Sequence, residues 1–385
     1  MSAPSVLFIS QEVHPIPPLK GAAVEQWIDT VAHGLSGFVP HVVSVVHPNL
    51  PDSQVVGNVH YHRIRVGRLY NRLFRKLTRL DPYSYVDRIV EYASEVRPAI
   101  IHIHNAPQFV SRISAGVNEA KLLLHMHNEK SVQSLPPVDA LCGCSRYISD
   151  WFRERGAAAK RFVELPNGVD PAKFRPRWED AGGQAAAQRR FDVPQDRFIV
   201  LYVGRISPEK GPDLLVEAMR GLDPQRFHLV LAGEWPRGDP RRSARVAFAE
   251  SLRSRLAGIP VTVLGQFAPE AMPEIYRLGD LVVIPSRFED PNPLVAFEAM
   301  ASGVPVLALR KGGMKEYMVD GENALLLPGD ADASALAAGI KIAAATAPER
   351  MERMTRAART MVEARFTWAN VIRQTENLYR EMLRS

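Results

Sequence analysis

The feature that most constrains the fold of this chain is a regular alternation of short apolar runs with longer amphipathic stretches. The amphipathic stretches, such as residues 23–35 and 212–220, have helical periodicity. The apolar runs predict strands at 6–10, 41–46, 99–104, 121–127, 140–144, 198–203, 228–232, 261–264, 281–285, 304–309 and 324–327. Strands and helices that alternate in this order form doubly wound parallel sheets. The predicted class is therefore α/β.

The alternation breaks after residues 166–170, where prolines and the pair Gly182-Gly183 follow. A chain of 385 residues is long enough for two domains, each with its own core. We predict an N-terminal Rossmann-like domain over 1–175, a linker over 176–195 and a C-terminal Rossmann-like domain over 196–365. Residues 366–385 carry apolar side chains at helical spacing, and we expect this helix to return to the N-terminal domain. Two such domains facing each other bind ligands in the cleft at the carboxyl ends of their strands.

The most informative segment follows the predicted strand 281–285. An acidic, proline-containing turn leads to Asn292, a candidate N-cap, and to Pro293, at the first helical position. Leu294 and Val295 continue this helix. The start of a helix presents backbone N–H groups that favour an anion such as a diphosphate. Asp290 before the helix and Glu298 within it could hold sugar and ribose hydroxyls.

A second candidate segment, Gly204 to Gly211, lies between the strand 198–203 and a helix. Arg205 and Lys210 in this segment could stabilise the negative charge of a departing diphosphate. The alternative is that Arg205 pairs with a surface carboxylate and that Lys210 is solvated.

Together these segments resemble the retaining nucleotide-sugar glycosyltransferases of family 4, which have the GT-B fold of two Rossmann-like domains. The matching motifs are Gly204-Arg205 with Lys210-Gly211, and the run from Asp290 through Pro293-Leu294-Val295 and Glu298 to Gly303. Weaker matches extend over nearly all of the chain, at residues 17–21, 127, 145, 166–170, 174, 312–316 and 366–368.

The resemblance implies a role for each matching residue. Arg205 and Lys210 would bind the diphosphate, Glu298 the nucleotide ribose and Asp290 the donor-sugar hydroxyls. His127 would face the donor sugar near the reacting carbon, and Gly21 would allow close approach of a loop. Two positions depart from the family pattern: the family usually has Glu where Asp290 stands, and Gly where Ala22 stands. Either Glu289 fills the first acidic position in place of Asp290, or the sugar differs.

Two patterns raise the question of a metal. His102 and His104, and His125 and His127, are pairs spaced by two, which places each pair on one face of a strand. Polar residues are expected at strand ends in any case. The Asp330-Ala331-Asp332 sequence is better explained as a helix cap. We therefore predict no metal and no cofactor, with the nucleotide-sugar as a substrate.

Residues 68–80 combine an apolar face with five cations. The apolar face comprises Leu69, Tyr70, Leu73, Phe74, Leu77 and Leu80. One interpretation is a helix packed on the N-terminal domain with a solvated basic side. The other is a peripheral contact with an anionic membrane surface, which would suit a lipid-linked acceptor.

Charge and composition limit the possible partners and the cellular location of the protein. The net charge of +6 suits an enzyme that handles phosphates as well as one that touches anionic lipid. The basic residues are not interleaved with aromatic ones, so nucleic acid is not predicted as a partner. No secretory leader or membrane-spanning run is recognisable, and the two cysteines are spaced awkwardly for a mutual disulfide, so we expect a cytoplasmic protein, with a possible peripheral location at the inner membrane face.

The predicted function is transfer of a sugar, with retention, from a nucleotide-diphosphate donor, preferably a UDP-sugar, to a hydroxyl of a carbohydrate or lipid-linked acceptor. The setting would be cell-surface polysaccharide or glycoconjugate synthesis. The alternatives are a nucleotide-sugar epimerase of GT-B architecture and a non-catalytic structural or coat protein that keeps the scaffold.

Overall fold

The structure, a computed structural model, describes residues 3–19, 23–131, 135–180 and 182–384. The chain divides into two compact units. Unit 1 contains Met1–Asn167 and Trp368–Ser385, and unit 2 contains Gly168–Thr367.

Unit 1 is built on an eight-stranded sheet in the order β3-β4-β2-β1-β5-β6-β7-β8. All neighbours are parallel except β3 and β4. The strands are β1 (Ser5–Ile9), β2 (Val39–Val45), β3 (Ser53–Val56), β4 (Val59–Ile64), β5 (Ile100–His104), β6 (Lys121–Met126), β7 (Ala140–Gly143) and β8 (Phe162–Glu164). The helices before residue 168 are α1 (Ala23–Gly34), α2 (Arg68–Tyr70), which continues as a π-helix (Asn71–Leu77), α3 (Tyr85–Val96), α4 (Val110–Gly116) and α5 (Arg146–Glu154).

Unit 2 is built on a six-stranded parallel sheet in the order β11-β10-β9-β12-β13-β14. Its strands are β9 (Phe198–Val203), β10 (Phe227–Ala232), β11 (Val261–Leu264), β12 (Leu281–Ile284), β13 (Val306–Leu309) and β14 (Leu325–Leu327). Its helices are α6 (Gly183–Arg190), α7 (Pro212–Arg220), α8 (Ala244–Arg255), α9 (Met272–Leu278), α10 (Leu294–Ala301), α11 (Ala333–Ala345) and α12 (Pro348–Arg365).

The last helix, α13 (Trp368–Arg384), belongs to unit 1, the unit to which it was expected to return. Val371, Leu378, Tyr379 and Met382 are buried in the same cluster as side chains of α1 and β1. The carboxylate of Glu376 accepts a hydrogen bond of 2.6 Å from the backbone N–H of Ser36, two residues after the end of α1. Both apolar burial and backbone capping therefore fix α13 to unit 1.

The order of the strands reverses once in each sheet. In unit 1 the reversal lies between the neighbours β1 and β5, and in unit 2 between the neighbours β9 and β12. Ligands of doubly wound sheets bind outside the carboxyl ends of the strands at such a reversal. The loops that follow these strands are therefore the expected position of a ligand site.

Several elements differ from those predicted. Strands β3, β4 and β8 were not predicted, because the first two carry exposed or polar residues and the third has only three residues. The chain passes between units at 167 and 168 rather than at 175. Residues 176–195, expected to be a linker, contain α6, which packs against α9 inside unit 2. Within the described ranges, no helix is both long and apolar enough to span a membrane.

Candidate active site

The loop after β9 carries the two predicted cations. Gly211 separates a 3-10 turn (Pro208–Lys210) from α7 and has φ of +67°. A Cβ atom at Gly211 would lie 2.0 Å from the carbonyl oxygen of Pro285, the residue after β12. Only glycine allows this approach, so the β9 loop and the β12 loop are held together at the reversal of strand order.

Lys210 is held in place by an ion pair. Its Nζ lies 2.6 Å from Oδ2 of Asp290 and 4.8 Å from the centre of the Phe288 ring. The Asp290 carboxylate is almost fully buried. The alternative interpretation, that Lys210 is solvated, is therefore wrong, because a buried carboxylate and an aromatic ring fix the position of its ammonium group.

Arg205 has a looser environment. Its Nη2 lies 3.7 Å from Oε1 of Glu209, and both side chains are exposed. The Tyr202 hydroxyl donates to the carbonyl oxygen of Arg205 at 2.7 Å, which fixes the backbone rather than the guanidinium. The predicted alternative of a surface ion pair thus describes Arg205 in this structure. An exposed pair of this kind contributes little to stability and leaves the guanidinium able to turn to an anion.

The predicted N-cap of α10 is wrong by one residue. The helix begins at Leu294, and Pro293 is the cap with extended backbone, so neither Asn292 as cap nor Pro293 as first helical residue is correct. Pro293 can take this position because its fixed φ, here −72°, is compatible with the extended region. The first amides of a helix have no partner within it, and Leu294 and Val295, which carry them here, are only partly buried.

Glu298 lies one turn further along α10. Its Oε2 accepts a hydrogen bond of 2.7 Å from the hydroxyl of Tyr276 in α9. Burial raises the pKa of Glu298 to about 7, although the hydrogen bond from Tyr276 opposes the shift. Near neutral pH this carboxyl group therefore switches between an acceptor-only form and one that can also donate.

Glu289, next to Asp290, does not share its partner. Its Oε2 accepts from the backbone N–H of Gly312 and lies 3.0 Å from Nζ of Lys315. Gly312 has φ of +52°, and a Cβ atom there would lie 2.1 Å from the carbonyl oxygen of Asp290. Glu289 thus ties the loop after β13 to the turn before α10, whereas Asp290 contacts Lys210.

In unit 1, His127 follows β6 and is partly buried. Its backbone N–H donates to Oδ1 of Asn105 at 3.4 Å, and its Nε2 lies 3.3 Å from Nδ1 of His104. Burial lowers the pKa of His127 to about 3, with a further contribution from Lys130. The ring is therefore neutral at physiological pH, with one nitrogen that can donate a hydrogen bond and one that can accept. Gly21, the other candidate in this unit, lies outside the described residues.

Three further histidines stack behind His127. His102, His104 and His125 are buried, and one ring nitrogen of each lies within 4.8 Å of the others. Over the part of the chain that the structure describes, this is the group of His, Cys, Asp or Glu side chains whose spacing could hold a metal ion. Burial lowers the pKa of all three well below its usual value, so they are neutral. Asp332 is an N-cap: its Oδ1 accepts from the N–H of Ala335 at 2.8 Å.

Comparison with known proteins establishes the family. The family described as "Glycosyl transferases group 1" matches residues 184–361. A lipopolysaccharide 1,2-N-acetylglucosaminetransferase of Salmonella typhimurium strain LT2 is 31% identical over 382 residues, which cover 96% of this chain and 97% of that protein. The chain belongs to the group 1 glycosyltransferases.

Solved structures agree with the fold of this glycosyltransferase. A sucrose-phosphate synthase from Thermosynechococcus elongatus has a TM-score of 0.79 at 24% identity, over 98% of this chain and 99% of that one. The HepE protein of Anabaena in complex with UDP-glucose has a TM-score of 0.76 at 20% identity, over 97% and 99%. At these identities the likeness shows the fold alone, which is GT-B, with one Rossmann-like sheet in each unit, mostly parallel in unit 1 and wholly parallel in unit 2.

Sequence reasoning missed three side chains that contact the candidate residues of this glycosyltransferase. Tyr276 donates to Glu298, Phe288 lies beside Lys210, and Asn105 holds the backbone of His127. Asn105 has φ of +52° directly after β5, and an asparagine at a strand end that is followed by a helical turn is a readable signal for this conformation. No local pattern points to Tyr276, whose partner is 22 residues away.

Proposed function

We propose that this group 1 glycosyltransferase moves a hexosyl group from a UDP-sugar to an acceptor hydroxyl and retains the configuration of the anomeric carbon. One observation carries the proposal: Lys210 and the start of α10 lie on the loops after β9 and β12, the neighbouring strands where the order of the sheet reverses. A cation and a helix N-terminus at such a place favour a diphosphate.

The proposed leaving-group chemistry uses both cations. As the bond between the anomeric carbon and the phosphate oxygen breaks, its electron pair stays on the diphosphate. Lys210, Arg205 and the amides of Leu294 and Val295 stabilise that charge, and Gly204 lets the backbone of the same loop approach the donor. Because Lys210 is already paired with Asp290, the diphosphate shares or displaces an existing partner rather than meeting a free cation.

Retention is proposed to occur on one face of the sugar. The acceptor oxygen bonds to the anomeric carbon from the side that the diphosphate leaves, and the acceptor proton passes to the leaving phosphate. A double displacement needs a carboxylate free to attack carbon. Asp290 is occupied by Lys210 and Glu298 by Tyr276, which favours the first route.

The remaining roles follow the family resemblance. Glu298 would accept from the ribose hydroxyls, Asp290 from the donor sugar, and His127 and Gly21 would contact the donor sugar. The preference for UDP is supported by the bound ligand of the HepE structure. A carbohydrate or lipid-linked acceptor in glycoconjugate synthesis is supported by the lipopolysaccharide-modifying relative. Cys142 and Cys144 are buried thiols, which supports a reducing compartment such as the cytoplasm.

We further propose that transfer needs no metal ion, because Lys210, Arg205 and the start of α10 supply the positive charge. Full activity after dialysis against EDTA, with the metal content measured, is the expected result. Loss of activity that Mg²⁺ or Mn²⁺ restores would contradict this part of the proposal.

The deciding experiment is a thermal-shift panel of nucleotide-sugars, followed by product analysis. We expect a UDP-sugar to raise the melting temperature more than its GDP and ADP counterparts, since a ligand that binds only the folded state stabilises it. NMR of the anomeric proton of the glycosylated product should show the donor configuration. An inverted product would exclude retention, and conversion of the donor without an acceptor would support the epimerase alternative.

A further inference from the structure

The π-helix of unit 1 is attached to the protein by its polar side. Oδ1 of Asp81 accepts from the Tyr70 hydroxyl and Oδ2 accepts from Nε of Arg75, both at 2.7 Å. Nη2 of Arg75 also donates to Oε2 of Glu12 at 2.7 Å. The same Tyr70 hydroxyl accepts from the backbone N–H of Tyr83 at 2.8 Å. An amphipathic helix in a globular protein ordinarily packs by its apolar side, so this orientation is inverted.

The inversion leaves a set of large apolar side chains exposed, which we call the leucine face. Leu69, Leu77 and Leu80 are 70%, 74% and 65% exposed, and Leu73 and Phe74 complete the face. Leu69, Leu73 and Leu77 recur at intervals of four, so they lie along one side of the helix. They line an open depression of about 490 Å³ together with Arg72 and Lys76. Of the predicted apolar face, Tyr70 contacts the protein through its hydroxyl. The predicted alternative, a helix packed on its domain by the whole face, is therefore wrong for the leucines and Phe74.

The charges beside the leucine face have one sign. Arg72, Lys76 and Arg79 are exposed, and residues 68–80 include no acidic residue. The acidic groups at the base of the helix, Asp81 and Glu12, are engaged by Arg75. Clustered exposed leucines with a border of cations match the boundary of an anionic bilayer, where acyl chains take the leucines and headgroups take the cations.

We propose that the leucine face docks on the surface of a bilayer that contains anionic lipids, with Leu69, Leu73 and Leu77 at the level of the acyl chains and Arg72, Lys76 and Arg79 at the headgroups. A protein partner fits less well, because the centre of a protein interface is depleted of charge and this face alternates leucines with cations. Long basic side chains can extend past buried leucines to reach headgroups. The proposal needs no donor or acceptor and stands apart from the transfer reaction.

Vesicle co-sedimentation of the full chain tests the proposal. We expect the wild type to pellet with vesicles of phosphatidylcholine and phosphatidylglycerol, at about 7:3, and to stay in the supernatant with phosphatidylcholine alone. A triple variant, L69S/L73S/L77S, should lower the partition coefficient at least about tenfold, since three buried apolar side chains are lost. A charge variant, R72E/K76E/R79E, should lower it similarly and remove the dependence on salt.

A matched control comes from the same unit. Val55 and Val56 of β3 are also exposed and apolar but lie outside the leucine face, so V55S/V56S should bind vesicles as the wild type does. Because every replaced side chain is exposed, each variant should keep the melting temperature of the wild type within a few degrees. A variant with Leu77→Trp should show a blue shift of fluorescence on anionic vesicles and quenching by brominated acyl chains.

Three results would overturn the proposal. The wild type could fail to bind anionic vesicles, or L69S/L73S/L77S could bind as well as the wild type. The wild type could instead form dimers without lipid that this variant converts to monomers, which would assign the face to a second copy of the chain. In each case donor binding, measured by thermal shift, reports separately on the proposed transferase function.

Discussion

Nζ of Lys210 and Oδ2 of Asp290 lie 2.6 Å apart, although 80 residues separate them in sequence. The pair joins the loop after β9 to the turn before α10, and its carboxylate is almost fully buried. In the proposed function, one partner binds the leaving diphosphate and the other the transferred sugar. Replacing Lys210 should therefore weaken the binding of the nucleotide, whereas replacing Asp290 should strengthen it.

Replacing Lys210 with Ala should lower kcat about 100- to 1,000-fold, because one charge that stabilises the leaving diphosphate is lost. It should also lower the melting temperature by a few degrees, since Asp290 is left buried without its partner. Steady-state kinetics with the best UDP-sugar gives the first number. Lys341→Ala, an exposed lysine of α11, is the matched control and should behave as the wild type. A near-normal rate for Lys210→Ala would remove this residue from the site.

Replacing Asp290 with Asn should tighten the binding of UDP several-fold while lowering kcat. The amide no longer neutralises Lys210, so the ammonium is more available to the diphosphate. The loss of a charged acceptor for the sugar hydroxyls lowers turnover. Calorimetric titration with UDP separates the two effects. Weaker binding of UDP would show that the Asp290 carboxylate orients Lys210 rather than competing for it.

The pKa of Glu298 near 7 predicts a pH dependence of donor binding. The ionised carboxylate accepts hydrogen bonds from hydroxyl groups, so KM for the donor should rise as the pH falls below about 7. Tyr276→Phe should move this midpoint upwards, since the hydrogen bond from Tyr276 lowers the pKa of Glu298. A donor KM that is constant between pH 6 and 8 would contradict the role of Glu298.

Glu298 also predicts how stability changes with pH. Its pKa is raised in the folded state from an ordinary value of 4.5, so its contribution to stability is complete below about 4.5 and is lost as the pH rises through 7. Glu298→Gln, which keeps an acceptor for Tyr276, should therefore be more stable than the wild type at pH 8 by on the order of 1–3 kcal/mol. Urea unfolding of both proteins at pH 5 and pH 8 measures this, and the gain should shrink at pH 5.

His127 should affect the rate without affecting the pH profile. The pKa of His127 is lowered to about 3, so the ring stays neutral throughout the working range. His127→Asn should lower kcat, whereas the rise in the donor KM at acidic pH should keep the midpoint set by Glu298. If this rise in KM disappears in His127→Asn, the titration belongs to the histidine instead.

The parts of this fold that the sequence predicts are those with a local signal. The runs at 198–203 and 261–264 coincide with β9 and β11, because both are largely apolar, follow an arginine or a proline, and precede a glycine. The helix over 212–220 coincides with α7, whose first residue is Pro212. By contrast, β4 was missed because its histidines and arginine interrupt the apolar pattern. The arginine, Arg63, can be buried because its guanidinium donates two hydrogen bonds to the carbonyl oxygen of Ile16.

The candidate site shows the same division. Lys210, Asp290 and Glu298 could be singled out from the sequence because the glycine before α7 and the proline before α10 mark the two loops. Which carboxylate meets Lys210 could not be read, because Glu289 and Asp290 are adjacent and the backbone of Gly312 decides which of them turns towards β13. The orientation of the π-helix could not be predicted from its own residues, because Arg75 is held by two carboxylates outside residues 68–80. Glu12 is far away in the sequence, and Asp81 directly follows the segment.

Because α13 belongs to unit 1, the parts of unit 1 are not synthesised consecutively. The unit that begins at the N-terminus receives Val371, Tyr379 and Met382 of its buried cluster only after all of unit 2 has been translated. A fragment that stops at residue 167 would expose the surface that these side chains cover. The ribosome therefore delivers an incomplete first unit, and its completion waits for the last helix to emerge.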